Sequence, residues 1–158
     1  MMNFQTLARD FVGQQELIDH VAGSASAPDV EIQQLVFDAD GYRCIASPGI
    51  DGETLVLRVT VMSVEQWPDD RKNHAFRVMH VLNYRALFSG EQIATLDVDD
   101  TILIGSTLPM QTMTAARLGH AMVSAIEAAV AFKDILSTIE SGSKSRLNEL
   151  ANEPRIYG

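Results

Sequence analysis

The sequence predicts an α+β fold: an antiparallel sheet whose strands come in hairpin runs separated by single helices, in the order α-β-β-β-α-β-β-α. Three observations carry this reading. Apolar residues recur every three or four positions near both ends of the chain and again at 71–88, but every second position over 53–64. The pairs Asp40-Gly41 and Asp99-Asp100 stand between β-like segments, where hairpin turns belong. Helices come singly between runs of hairpins, which is not the alternation of a parallel βαβ sheet.

In chain order, residues 3–21 come first, an amphipathic helix with Phe4, Leu7, Phe11, Leu17 or Ile18, and Val21 on one side. "AGSASAP" (22–28) is a small-residue connector, and Pro28 ends helix character. "VEIQQLVFDA" and "YRCIAS" flank Asp40-Gly41 as a hairpin, and "PGIDG" (48–52) is the next turn. "ETLVLRVTVMSV" (53–64) is the clearest strand. Leu55, Leu57, Val59 and Val61 share one face, while Val56, Arg58, Thr60 and Met62 make a mixed second face, as in a sheet covered on one side. After "EQWPDDRK", Asp69 or Asp70 is placed to cap a helix over 71–88, which Gly90 closes. "QIATLDV" and "TILIGSTL" form a hairpin around Asp99-Asp100, and Pro109 ends it. Thr112 or Thr114 caps a last helix to about Glu140, with the stripe Leu118, Met122, Ala125 or Ile126, Ala129, Phe132 and Leu136. Residues 1–140 read as one domain, and 141–158 as a polar tail predicted to fray or stay disordered.

Composition narrows the function. Hydrophobic residues make up 46% and charged residues 21%, a globular balance. No apolar run reaches the roughly 18 residues of a membrane helix. "MMNFQTLARDFVGQQ" does not read as a secretory signal, and Cys44 has no second cysteine with which to pair, so a cytoplasmic protein is expected. A net charge of −9 with scattered Lys and Arg argues against nucleic acid and anionic lipid as partners.

The motifs that carry chemistry are missing. His20, His74, His80 and His120 make neither a HExxH pair nor a zinc spacing. "FDADGY" starts like a calcium loop but lacks the later ligands and reads as a turn. There is no GxSxG elbow and no phosphate loop, and Cys44 reads as an inert buried thiol. No cofactor and no metal are expected. An enzyme would need dispersed residues such as His80, His120, Asp97 and Asp99 to converge in a deep pocket.

The helix at 71–88 stands out. Ala75, Val78, Met79, Leu82 and Ala86 make one apolar stripe, and Phe76, Val81, Tyr84, Leu87 and Phe88 lie largely outside it. A helix apolar on several sides needs more than one cover. A second copy of the chain is expected to supply that cover in a two-fold dimer, and the first and last helices or the tail are the alternative.

The segment "VLNYRALFSGEQIATLDVDDTILIGSTLPM" resembles the middle of the class I, CesT-like type III secretion chaperones. It has a helix ending near an Asn and a Gly, a strand with a Leu-Asp tail, a second strand, then Leu-Pro and an apolar residue. "TAARLGHAMVSAIEAAVAFKDIL" is similar to that family's closing helix, and the likeness extends over residues 3–140. It implies a non-enzymatic, cytoplasmic homodimer that binds the extended N-terminal region of an effector and keeps it secretion-competent. It implies dimer contacts at Val78, Met79, Leu82 and Tyr84, and an effector groove at Phe4, Leu7, Phe11, Leu35 and Phe37. Gln33 and Gln34, the loop 65–74 and the tail depart from the pattern. The YbjN-like proteins, regulatory or adaptor proteins of similar fold, are the alternative resemblance.

Overall fold

Asp40 and Gly41 both adopt the left-handed backbone conformation, with φ of +53° and +81°. That is the type I′ geometry which lets two twisted strands fold back through two residues, and it starts the sheet. The computed structural model describes residues 2–14, 31–89 and 92–141. The helices are α1 (Phe4–Gln14), α2 (Asp69–Ser89) and α3 (Ala115–Glu140). The strands are β1 (Leu35–Ala39), β2 (Tyr42–Pro48), β3 (Thr54–Ser63), β4 (Ile93–Leu96) and β5 (Thr101–Pro109). This is the predicted order. The second half of the predicted 3–21 helix, the 22–28 connector, the Gly90 terminus and the tail from 142 on lie outside the described residues.

The five strands form one antiparallel sheet in the order β1-β2-β3-β5-β4. Its longest pairing is β3 with β5, from Thr54 opposite Pro109 to Ser63 opposite Thr101. Leu55, Leu57, Val59 and Val61 are buried on the face predicted for them. Met62 corrects the expected alternation. The register shifts between Thr60 and Met62, so Met62 stands opposite Ile102 and packs against the core. A bulge inserts one residue and reverses the facing of the residues beyond it, and no periodicity announces it.

The α3 stripe seals that face. Leu118, Met122, Ala125, Ile126, Ala129, Phe132 and Leu136 are all buried, and Ala115 and Ile139 extend the row by a turn at each end. Thr114 is the N-cap, its hydroxyl accepting from the Arg117 N–H at 3.1 Å. Burying each large apolar side chain in this row contributes about 1.5–3 kcal/mol. α1 packs beside α3 through Phe4, Leu7, Ala8 and Phe11, and Phe11 meets the Phe37 ring at 5.8 Å.

Two boundaries differ from expectation. β1 begins at Leu35, with residues 31–34 outside the strand, where the N–H and C=O of Ile32 are taken by the carboxamide of Gln5. α2 begins at Asp69, and the Pro68 carbonyl accepts the N–H of Lys72 at 3.0 Å. Asp69 and Asp70 therefore sit inside the first turn, where their charge complements the helix dipole.

Cys44 lies at the centre of the core face, and burial first, then the Asp38 charge, pushes its thiol up to about 11. The reactive thiolate is thus suppressed at neutral pH. A thiol reagent at about pH 8 is expected to modify Cys44 only after denaturation. Rapid reaction of the native protein would contradict the packing described.

Candidate functional site

Two regions carry the residues singled out by the sequence. The first is the seam between α1, β1 and α3. Phe4, Leu7, Phe11, Leu35 and Phe37 do converge there, all between 0% and 6% exposed. They form an occupied part of the core, with α1 itself filling the expected groove. Asn3 caps α1 by accepting the Thr6 N–H at 2.9 Å. Gln5 anchors it across the chain, donating to the Ile32 carbonyl and accepting the Ile32 N–H at 2.8 Å. A side-chain amide thereby replaces a neighbouring strand just upstream of β1, which is an edge strand.

The second region is α2 with β4, the opposite edge of the sheet. The four predicted contact residues on α2 divide. Met79 is buried, Val78 and Leu82 are half-buried against the core, and Tyr84 is 65% exposed. Phe76, read from sequence as outside the stripe, also packs against the core. One side of α2 is therefore covered within the chain. Val81 remains 56% exposed beside Tyr84 on the outer side, and Ile93 and Leu96 are exposed on β4. These last two were not singled out from the sequence, which gave β4 only as one arm of a hairpin. The three-residue spacing of Val81 and Tyr84 was the available signal on α2.

Asn83 joins helix to strand. Its Nδ2 donates to the Ala94 carbonyl at 2.7 Å, and its Oδ1 accepts the Ala94 N–H at 2.6 Å. The outward backbone groups of Ala94, the middle of a four-residue edge strand, are thus satisfied by a side chain. Beside this contact lies a cavity of about 250 Å³ lined by Leu82, Gln92, Ile104, Phe132 and Ile135 among others. Gln92 crosses to α3, donating to the Ser124 hydroxyl at 2.9 Å. Lys72 pairs with Asp100 at 3.0 Å, tying the start of α2 to the β4–β5 turn.

The dispersed polar residues do not gather. His80 and His120 are exposed on α2 and α3, and Asp97 and Asp99 are exposed at the β4–β5 turn. None of the four lines the cavity beside Asn83 or a second, wider one along β2 and β3. Asp99 is held below the usual carboxylate range by the Thr101 hydroxyl first and then by backbone N–H groups. His74 is half-buried with Nε2 unpartnered, and His20 lies outside the described residues. Among the described residues no three His, Cys, Asp or Glu side chains form a group that could hold a metal. No described helix is long and apolar enough to cross a membrane.

No family model and no curated protein matches the chain. Solved structures do. A chain of the HopA1–SchA chaperone–effector complex superposes with a TM-score of 0.63 at 14% identity, over 83% of this chain and 93% of that one. This is the fold of the type III secretion chaperones. The Yersinia pestis type III secretion chaperone SycH, solved with a stable fragment of YscM2, gives a TM-score of 0.57 at 18% identity over 81% of this chain and 98% of its own. The ExsC–ExsE complex gives 0.61 at 14% identity over 84% and 92%. At such identities the likeness lies in the path of the backbone, and the side chains of each surface are this chain's own.

Replacing Asn83 with alanine leaves both backbone groups of Ala94 without their partner. Unfolding in urea, followed by fluorescence of Trp67, is expected to show a loss of roughly 1–3 kcal/mol. An unchanged midpoint would mean that the contact contributes nothing to holding β4 against α2.

Proposed function

We propose that this chain is a non-enzymatic chaperone of a type III secretion system. It binds the N-terminal region of one or more effectors in extended form and keeps that region secretion-competent. The observation that carries the reading is the shared fold, which spans more than four-fifths of this chain and nine-tenths or more of each of three chains from chaperone or partner complexes. A physical argument points the same way. The net charge of −9 suits a protein that exposes apolar side chains such as Val81 and Ile93, because like-charge repulsion opposes aggregation. The proposal needs no cofactor, nucleotide or metal, and it places the protein in the cytoplasm, where effectors wait before export.

The working unit is proposed to be a homodimer. Val81 and Tyr84 on α2, with Ile93 and Leu96 on β4, give an apolar surface beside the edge that Asn83 closes. Val78, Met79 and Leu82 support it from beneath, packed as they are on the core. A self-complementary patch of this kind is the usual basis of two-fold association, and a client that loses entropy on ordering needs the doubled surface. The groove at Phe4, Leu7, Phe11, Leu35 and Phe37 is proposed to open by displacement of α1, whose polar anchorage to the rest of the chain includes Gln5.

Light scattering on a size-exclusion column is expected to give twice 17.3 kDa. Tyr84→Asp together with Val81→Asp is expected to halve that mass without unfolding the chain. A monomeric wild type would remove the dimer. For the function itself, the chain is co-expressed with N-terminal segments of secreted proteins encoded beside its gene. A stable soluble complex with such a segment, absent with the mature remainder of the same protein, is the expected result. Failure of every segment to bind would overturn the chaperone reading.

A further inference from the structure

The face of the sheet turned away from the helices holds a charge that nothing in the described chain answers. Val36, Ile45, Arg58, Gly105 and Ile93 stand in one row across all five strands. Arg58 is at the centre, on β3. Its Nε is buried and has no hydrogen-bond partner. The other charged pair on this face is self-contained, since Arg43 meets Asp38 at 3.3 Å. A cavity of about 550 Å³ runs from Arg58 past Val56 to Ser47, Pro48, Ile50 and Asp51. Its one carboxylate, Asp51, already accepts from the Glu53 N–H at 3.0 Å and the Thr54 hydroxyl at 3.2 Å, and these bonds hold it below the usual range. Ile50 is fully exposed at the rim.

Space is kept on the β5 side of Arg58. Gly105 follows Arg58 in the row, and a Cβ built there would meet only the Ile93 and Leu57 carbonyl oxygens, at 3.8 and 3.9 Å. The β5 side of Arg58 is therefore a notch. A planar guanidinium with an unmet Nε–H is suited to a carboxylate, which it grips through two parallel bonds. The surroundings select what bears that carboxylate. Val36, Ile45 and Val56 are half-buried apolar neighbours, so a free phosphate would find one cation, apolar walls and a chain of net charge −9.

We infer that this open face binds an extended stretch of the client in which one Asp or Glu is flanked by apolar residues, the carboxylate seating on Arg58 and the apolar side chains on Val36, Ile45 and Val56. The inference rests on the chaperone reading and adds a selection rule to it. An acidic chain would otherwise prefer basic segments. Arg58 reverses that preference at one position, and alternate side chains of a strand laid on the sheet reach the face together.

The test uses fluorescein-labelled peptides, alternating valine and threonine between serine ends, with one central glutamate or glutamine. Anisotropy is measured on the purified chain and on Arg58→Gln, Arg58→Lys and Gly105→Val. The glutamate peptide is expected to bind wild type about tenfold tighter than the glutamine peptide. Arg58→Gln should abolish the difference, Arg58→Lys keep part of it, and Gly105→Val weaken the glutamate peptide by filling the notch with the charge retained. If Arg58→Gln does not fold, as judged by Trp67 fluorescence, the Lys and Val variants carry the test. Equal affinities, no binding of either peptide, or a preference that survives loss of Arg58 would overturn the inference. So would conversion of a dimer to a monomer by Arg58→Glu, which would give the face to a second copy. Client co-purification that proceeds while the peptides show no glutamate preference leaves the chaperone reading standing and removes only this one.

Discussion

The fold depends on one contact surface: the apolar stripe of α3 laid over the central pair β3 and β5. The helix brings Leu118, Met122, Ala125, Ala129, Phe132 and Leu136, and the strands bring Leu55, Leu57, Val59, Ile102 and Ile104. Neither partner is stable in water alone. A sheet with one greasy face and a long helix with one greasy side each need the other. Everything else is attached to this layer. α1 extends it beside α3 to β1, and α2 continues it along β4 and against α3.

The edges of such a sheet are its hazard and its opportunity. Unpaired strand edges invite any extended chain, and the role proposed for this chain requires that extended clients be accepted only at chosen places. Here both edges are managed by side-chain amides. Gln5 answers Ile32 just ahead of β1, and Asn83 answers Ala94 in β4. Each carboxamide presents one donor and one acceptor, as a peptide group does. Each also comes from a helix packed nearby, so the helix and the edge are fixed together. The apolar side chains left exposed beside the Asn83 edge are those proposed for association, while the open face around Arg58 is a separate surface with separate chemistry.

Apolar periodicity made much of this legible. The burial of the α3 stripe, of the β3 core face and of Phe4, Leu7 and Phe11 follows from spacings of 3.6 and 2, because solvent exclusion acts on faces and faces recur locally. The Asp40-Gly41 turn was equally plain, since few residue pairs tolerate two positive φ values. The candidate sites were legible only as apolar positions. That Leu7 and Leu35 are sealed in the core, and that Val81 with Tyr84 is left at the surface, depends on which neighbour arrives from elsewhere in the chain.

The sequence by itself thus determined the element order, the single covered face and the residues that cover it, because each is set by neighbours within one or two turns or rungs. Only the tertiary structure decided the rest. It placed the bulge that turns Met62 inward, because register is a property of two strands and not of one. It brought Gln5 to Ile32 and Asn83 to Ala94 across 27 and 11 positions of chain. It left the Arg58 Nε without a partner among the described residues, because whether a charge is answered depends on what stands across the sheet from it and not on what precedes it in the chain.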